Sequence, residues 1–173
     1  MNNFILGTAQ FDSAYSLIGN KNSIKENLKI LSLAWDMGIR FLDCAPVYKN
    51  AEKTIGRWHL ENSKKKFKIL TKIQNYNHNE LLTKYVDEQI KKSFLNLKVS
   101  SFFGFSMHNF DINFNYNFLK YVFENKKKLK LKNIGITIYS EKDLLNKKDY
   151  KEIEIVQLPF NIVNNKILKY IYY

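Results

Sequence analysis

One cysteine, two prolines and six glycines in 173 residues exclude several kinds of protein at once. With Cys44 alone, no intrachain disulfide and no cysteine-based zinc site can form, which fits a reducing compartment. Glycine and proline are too few, and too scattered, for a low-complexity or collagen-like chain. No stretch rich in Pro, Gly or Ser divides the sequence, so residues 1–173 read as one domain. Histidine is also scarce: His59 and His78 each lack a second His three or four residues on, so a metal site has no support. No apolar run approaches the roughly 20 residues of a membrane span. The first run, Phe4 to Leu6, is a strand's length and leads into Gly7-Thr8 without the marks of a secretory leader. A cytoplasmic protein without a membrane partner is expected.

Arginine is nearly absent as well. Arg40 and Arg57 are the only two, although the net charge is +12 and the pI near 9.6. Such a charge raises nucleic acid as a partner, but base edges and phosphates are read bidentately by arginine more than by lysine. The densest lysine runs are Lys64 to Lys66 and Lys126 to Lys128 with Lys130 and Lys132, and they precede the third and fifth strand-like segments. They read as solvated surface at helix-to-strand turns, and nucleic acid is not the expected partner.

What is present is an alternation of strand-like and helix-like segments. Hydrophobic residues make up 45% and charged residues 25%, the balance of an ordinary soluble domain. Phe4 to Thr8 reads as a first strand, and Ser23 with Glu26 forms a capping box before Ile24, Leu28, Leu31 and Trp35, which share one helical face. Strands are expected at Arg40 to Asp43, Phe67 to Lys72, Ser101 to His108, Leu131 to Thr137 and Glu154 to Leu158. Between them lie helices at Ala51 to Leu60, from an Asn79 cap through Leu82, Val86, Ile90, Phe94 and Leu97, and at Tyr116 to Asn125. A short helix opens at Ser140 with Asp143 and runs through Leu145, and a last one begins near Asn164. About six strand-helix units of near 30 residues predict a parallel α/β sheet with right-handed crossovers.

Asp43, Lys72 and His108 each stand at the carboxyl end of one of these runs, and Tyr48 lies in the turn after Asp43. In α/β barrels that end of the sheet carries the active site. The four residue types suit proton-coupled hydride transfer to a carbonyl. Negative charge builds on the oxygen, so a proton donor and fixed dipoles must face it. A phenol is a weak acid at neutral pH, and an ammonium beside it strengthens it by favouring the phenolate. A carboxylate keeps that ammonium in place, and a neutral imidazole donates a hydrogen bond to the same oxygen. Singly, each residue has a structural explanation: Asp43 capping a turn, Lys72 an exposed lysine, His108 a core histidine, Tyr48 one of 11 tyrosines. Their shared register favours the site.

Six segments in order resemble the aldo-keto reductase family: Leu6 to Gln10; Phe41 to Tyr48 with Glu52 and Gly56; Leu70 to Lys72; Met107-His108; Gly135 to Thr137; and Val156 to Asn161. The resemblance implies a TIM-type (β/α) barrel, here with about six of its eight units, and a reductase of aldehydes or ketones that uses a nicotinamide cofactor, usually NADPH. By matching position it implies Tyr48 as proton donor, Lys72 and Asp43 as its tuning pair, and His108 as the residue orienting the substrate carbonyl. It also implies Thr137, Gln157 and Asp43 at the nicotinamide cofactor. Family members bind the cofactor extended, so the lack of a Gly-x-Gly-x-x-Gly turn is no objection. The two units not found in the sequence supply much of the family's grip on the pyrophosphate and adenine. A C-terminally truncated reductase, completed by a second polypeptide or self-associating through its open sheet edges, is one expectation. A non-catalytic remnant or regulatory binding module of the same fold is another, and a basic nucleic-acid-binding protein a third.

Overall fold

A computed structural model describes residues 4–11, 22–74, 81–108, 112–139, 152–161 and 165, with side chains of 112–116 excepted. In chain order the elements are β1 (Ile5–Gly7), α1 (Ile24–Asp36), β2 (Phe41–Asp43), α2 (Ala51–Glu61), β3 (Lys68–Ile73), α3 (Leu82–Leu97), β4 (Phe102–Met107), α4 (Ile112–Glu124), β5 (Leu131–Thr137) and β6 (Ile155–Gln157). The six strands form one parallel sheet in sequential order, β1 to β6. This is an incomplete α/β TIM-type barrel, an arc with helices on its convex side. The expected fold class holds. Helix α3 is preceded by Leu81 at its N-cap, with no side-chain cap, rather than by the expected Asn79; Asn79 itself, the helix opening at Ser140 and the helix from Asn164 lie outside the described residues.

Local chemistry starts and stops the elements. At α1 the capping box forms, with the Glu26 amide donating to Ser23 Oγ and the Ser23 amide to the Glu26 carboxylate. Leu31 is fully buried and Leu28 and Trp35 are packed against the core, whereas Ile24, in the first turn, stays exposed. The end of α1 is tied to β2 by Arg40, whose guanidinium lies 4.0 Å from the Trp35 ring centroid and donates to the Trp35 carbonyl. Gly38, at φ 86°, makes the reversal between them.

The core lies between sheet and helices. Trp58, Ile55, Ile69, Leu97, Phe102 and Ile134 are all but inaccessible to solvent. Trp58 Nε1 donates to Ser32 Oγ at 2.9 Å, so the indole is buried without losing its hydrogen bond. Glycines set the closest approaches. At Gly56 an added Cβ would sit 1.8 Å from the Asn96 carbonyl oxygen, which shows how tightly α2 lies on α3. On the concave side, β6 curls inward until Ile155 Cδ1 would be 2.9 Å from a Cβ at Gly104 on β4.

Candidate active site at the carboxyl ends of the strands

Asp43 closes β2 and Lys72 is the last residue but one of β3. The Lys72 Nζ lies 2.5 Å from Asp43 Oδ1. Lys72 is only 4% exposed and Asp43 18%. Moving a charge out of water costs several kcal/mol unless a partner compensates, so Asp43 is the condition on which an ammonium is held here. The Asp43 carbonyl is itself pinned to the first strand's exit, accepting from the Thr8 amide at 3.0 Å and the Thr8 hydroxyl at 2.9 Å.

Tyr48 is brought over this pair by the tight turn that follows β2. Its amide donates to the Ala45 carbonyl, and its carbonyl accepts from Ala51 at the start of α2. The Lys72 Nζ lies 5.6 Å from the Tyr48 ring centroid. His108 directly follows β4, and its amide continues the ladder by donating to the Ile73 carbonyl at 2.8 Å. Its ring meets Tyr48 edge to face at 6.0 Å. All four residues singled out in the sequence are thus at one end of the sheet and in one cluster.

Two further residues complete the mouth. Gln157 ends β6, and its Nε2 lies 3.4 Å from Asp43 Oδ2, across the arc from β6 to β2. Asp43 therefore faces Lys72 with one oxygen and Gln157 with the other. Thr137 ends β5 in register with Gln157. It is 4% exposed, and its Oγ1 has no hydrogen-bond partner among the described residues. A buried hydroxyl without a partner carries a desolvation cost of about 1–3 kcal/mol, and a ligand amide would remove it. Below the mouth the concave side holds a cavity of about 270 Å³, lined in part by Gly7, Asp43, Ser106, Gly135 and Gln157. A Cβ at Gly7 would meet nothing within 4 Å among the described residues.

Sequence reasoning did not single out Gly7 or Ser106 as cavity walls, nor the buried hydrogen bonds that Glu52 makes to β3 and α3. Glu52 is 3% exposed and accepts from Asn96 Nδ2 at 3.1 Å and Thr71 Oγ1 at 3.4 Å, tying α2 to α3 and β3. Burial, and next the Glu52 charge, push the neighbouring Cys44 thiol well above its ordinary range, which makes it inert as a nucleophile. In the sequence Glu52 stood out only with Gly56, as part of the segment after Tyr48 that resembles the family. Among the described residues no three His, Cys, Asp or Glu side chains gather as a metal site would require, and no helix is long and apolar enough to cross a membrane.

A family model described as "Aldo/keto reductase family" matches residues 3–172. No curated protein matches the sequence. Solved structures resemble it over nearly its whole length. The glycerol dehydrogenase from Gluconobacter oxydans superposes with a TM-score of 0.74 at 19% identity, covering 95% of this chain and 53% of its own. The aldose reductase from Schistosoma japonicum gives 0.71 at 20%, covering 97% and 61%. An aldo-keto reductase from Bacillus halodurans gives 0.75 at 16%, covering 95% and 55%. The chain thus spans between 53% and 61% of these three proteins' lengths.

Proposed function

The chain belongs to the aldo/keto reductase family, and on that premise we propose that it reduces an aldehyde or ketone with NADPH, with Tyr48 as proton donor. The observation that carries this reading is the buried Lys72–Asp43 pair set against the Tyr48 ring, with the His108 ring on the ring's edge. A bound nicotinamide would supply hydride to the carbonyl carbon. Tyr48 then gives its phenolic proton to the carbonyl oxygen, and the Lys72 ammonium stabilises the phenolate left behind. Asp43 keeps that ammonium in position, and His108 donates to the same oxygen and so sets the carbonyl's orientation. Thr137 and Gln157, at the ends of β5 and β6, are the residues suited to hold the nicotinamide carboxamide. The unpartnered Thr137 hydroxyl supports that assignment.

The test is turnover of a panel of small aldehydes and ketones by the full chain and by Tyr48→Phe, with NADPH binding followed by fluorescence. Loss of the general acid lowers kcat by about 10²- to 10⁴-fold, while NADPH binding stays unchanged. Wild-type turnover in Tyr48→Phe overturns the role of Tyr48. A chain that binds NADPH tightly and reduces no carbonyl is a binding module of the same fold instead.

A further inference from the structure

At the opposite end of the sheet, where the strands begin, lies a second concavity of about 660 Å³. Its wall is formed by the entries to β3, β4 and β5, and among the described residues four lysines line it, Lys66, Lys68, Lys98 and Lys132, together with Ser100 and Ser101. No acidic residue lines it among the described residues. Among the described residues none of the four ammonium groups pairs with a carboxylate, although other lysines of the chain do. Lys66 Nζ instead donates to the His59 carbonyl. Lys68 lies over two aromatic rings, 5.0 Å from the Phe41 centroid and 5.9 Å from that of Phe103, and Lys132 lies 5.3 Å from Phe103. Lys98 ends α3 at φ 56°, in the left-handed region that glycine fills most readily. A lysine there adds strain and adds a fourth like charge to the cluster.

We propose that this groove binds a small polyanion carrying two or more linked phosphates. Like charges brought together without counter-charges repel. Cation–π contacts soften that repulsion for Lys68 and Lys132, and a ligand of opposite charge removes it. Lysine binds phosphate as a point charge, and the two serine hydroxyls are donors for the remaining oxygens. The volume falls within the range of small-ligand sites. Single-stranded nucleic acid needs free aromatic faces on which bases stack, and lysines already lie over Phe41 and Phe103. The site stands apart from the carboxyl-end mouth and does not depend on the reductase reading.

Inorganic tripolyphosphate is the probe, titrated calorimetrically into the full chain and into three variants. Saturable binding at one site is expected, weakened roughly tenfold or more by Lys68→Gln with Lys132→Gln, since charge-assisted contacts to phosphate are the strong kind. Lys98→Gly relieves the left-handed residue and so keeps the fold, yet it should weaken binding too. Lys91→Gln with Lys92→Gln, on the exposed side of α3, should leave it unchanged. Absence of saturation overturns the proposal, as does equal weakening by the α3 pair, which would mean diffuse attraction to a basic surface. ATP displacing tripolyphosphate identifies a nucleotide source for the phosphates, and failure to displace it identifies a free oligophosphate; either supports the site. A single-stranded oligonucleotide that binds more tightly with each added base overturns it in favour of a nucleic-acid groove.

Discussion

His59 is fully buried, and both of its ring nitrogens face backbone groups. The Phe67 amide donates to Nε2 at 3.1 Å, so the ring proton resides on Nδ1 and donates to the Leu97 carbonyl at 2.7 Å. Burial, and less strongly the Lys66 ammonium, hold this imidazole below the usual histidine range, and the bond to Leu97 opposes them only in part. The consequence for stability has a definite sign. In the unfolded chain the ring takes up a proton near pH 6.5, whereas the folded ring resists until a lower pH. Its contribution is therefore complete above pH 6.5 and is lost as pH falls from there through the folded value. Urea unfolding should show stability declining across that window by up to about 1.4 kcal/mol per pH unit, and His59→Gln should remove that part of the slope. A slope identical in the variant would assign it to other groups. Nothing in the sequence pointed to this role, because one partner, Leu97, lies 38 residues away. The mouth residues were legible for the opposite reason: Asp43, Lys72 and His108 each follow a visible apolar run, so a strand's end fixed their position before any contact was known.

At the scale of elements, the contact of α2 with α3 is the least forgiving. A Cβ on Gly56 would meet Asn96 backbone oxygen at 1.8 Å, which no side-chain rotation relieves, whereas one on Gly104 would meet the mobile tip of Ile155 at 2.9 Å. Gly56→Ala should thus cost about 3 kcal/mol, the upper part of the overpacking range, and Gly104→Ala about 1. A loss for Gly56→Ala as small as about 1 kcal/mol in chemical denaturation would show that the two helices move apart at little cost. Most element positions were legible from periodicity, with β5 read to the residue. The outer strands came out shorter than expected: β1 spans Ile5–Gly7 rather than Phe4 to Thr8, and β6 Ile155–Gln157 rather than Glu154 to Leu158. Helix α4 begins at Ile112, before the expected Tyr116. Asn113 and Asn115 have weak helix propensity and hid that first turn.

For the molecule as a whole, a net charge of +12 means the compact state works against its own repulsion. Raising the salt from low to physiological ionic strength, where the Debye length is about 8 Å, should raise Tm by about 2–4 °C for each kcal/mol of repulsion relieved. A Tm that falls with salt would mean that attractive pairs dominate. The strand order was legible because alternating units leave a right-handed parallel sheet as the simple solution. The curvature that carries β6 across to β2 was not, since no local pattern encodes a contact between residues 114 apart. That span also sets a timetable. Each neighbouring strand pair closes after one unit of chain, but the Gln157 side of the mouth cannot exist until every intervening unit has been made and docked. Loop closure of that length is slow compared with a single crossover. In pulse-labelled hydrogen exchange during refolding, the amides of β2 to β4 should become protected before those of β6, and on the ribosome Asp43 and Lys72 would emerge as a pair that waits for its third member.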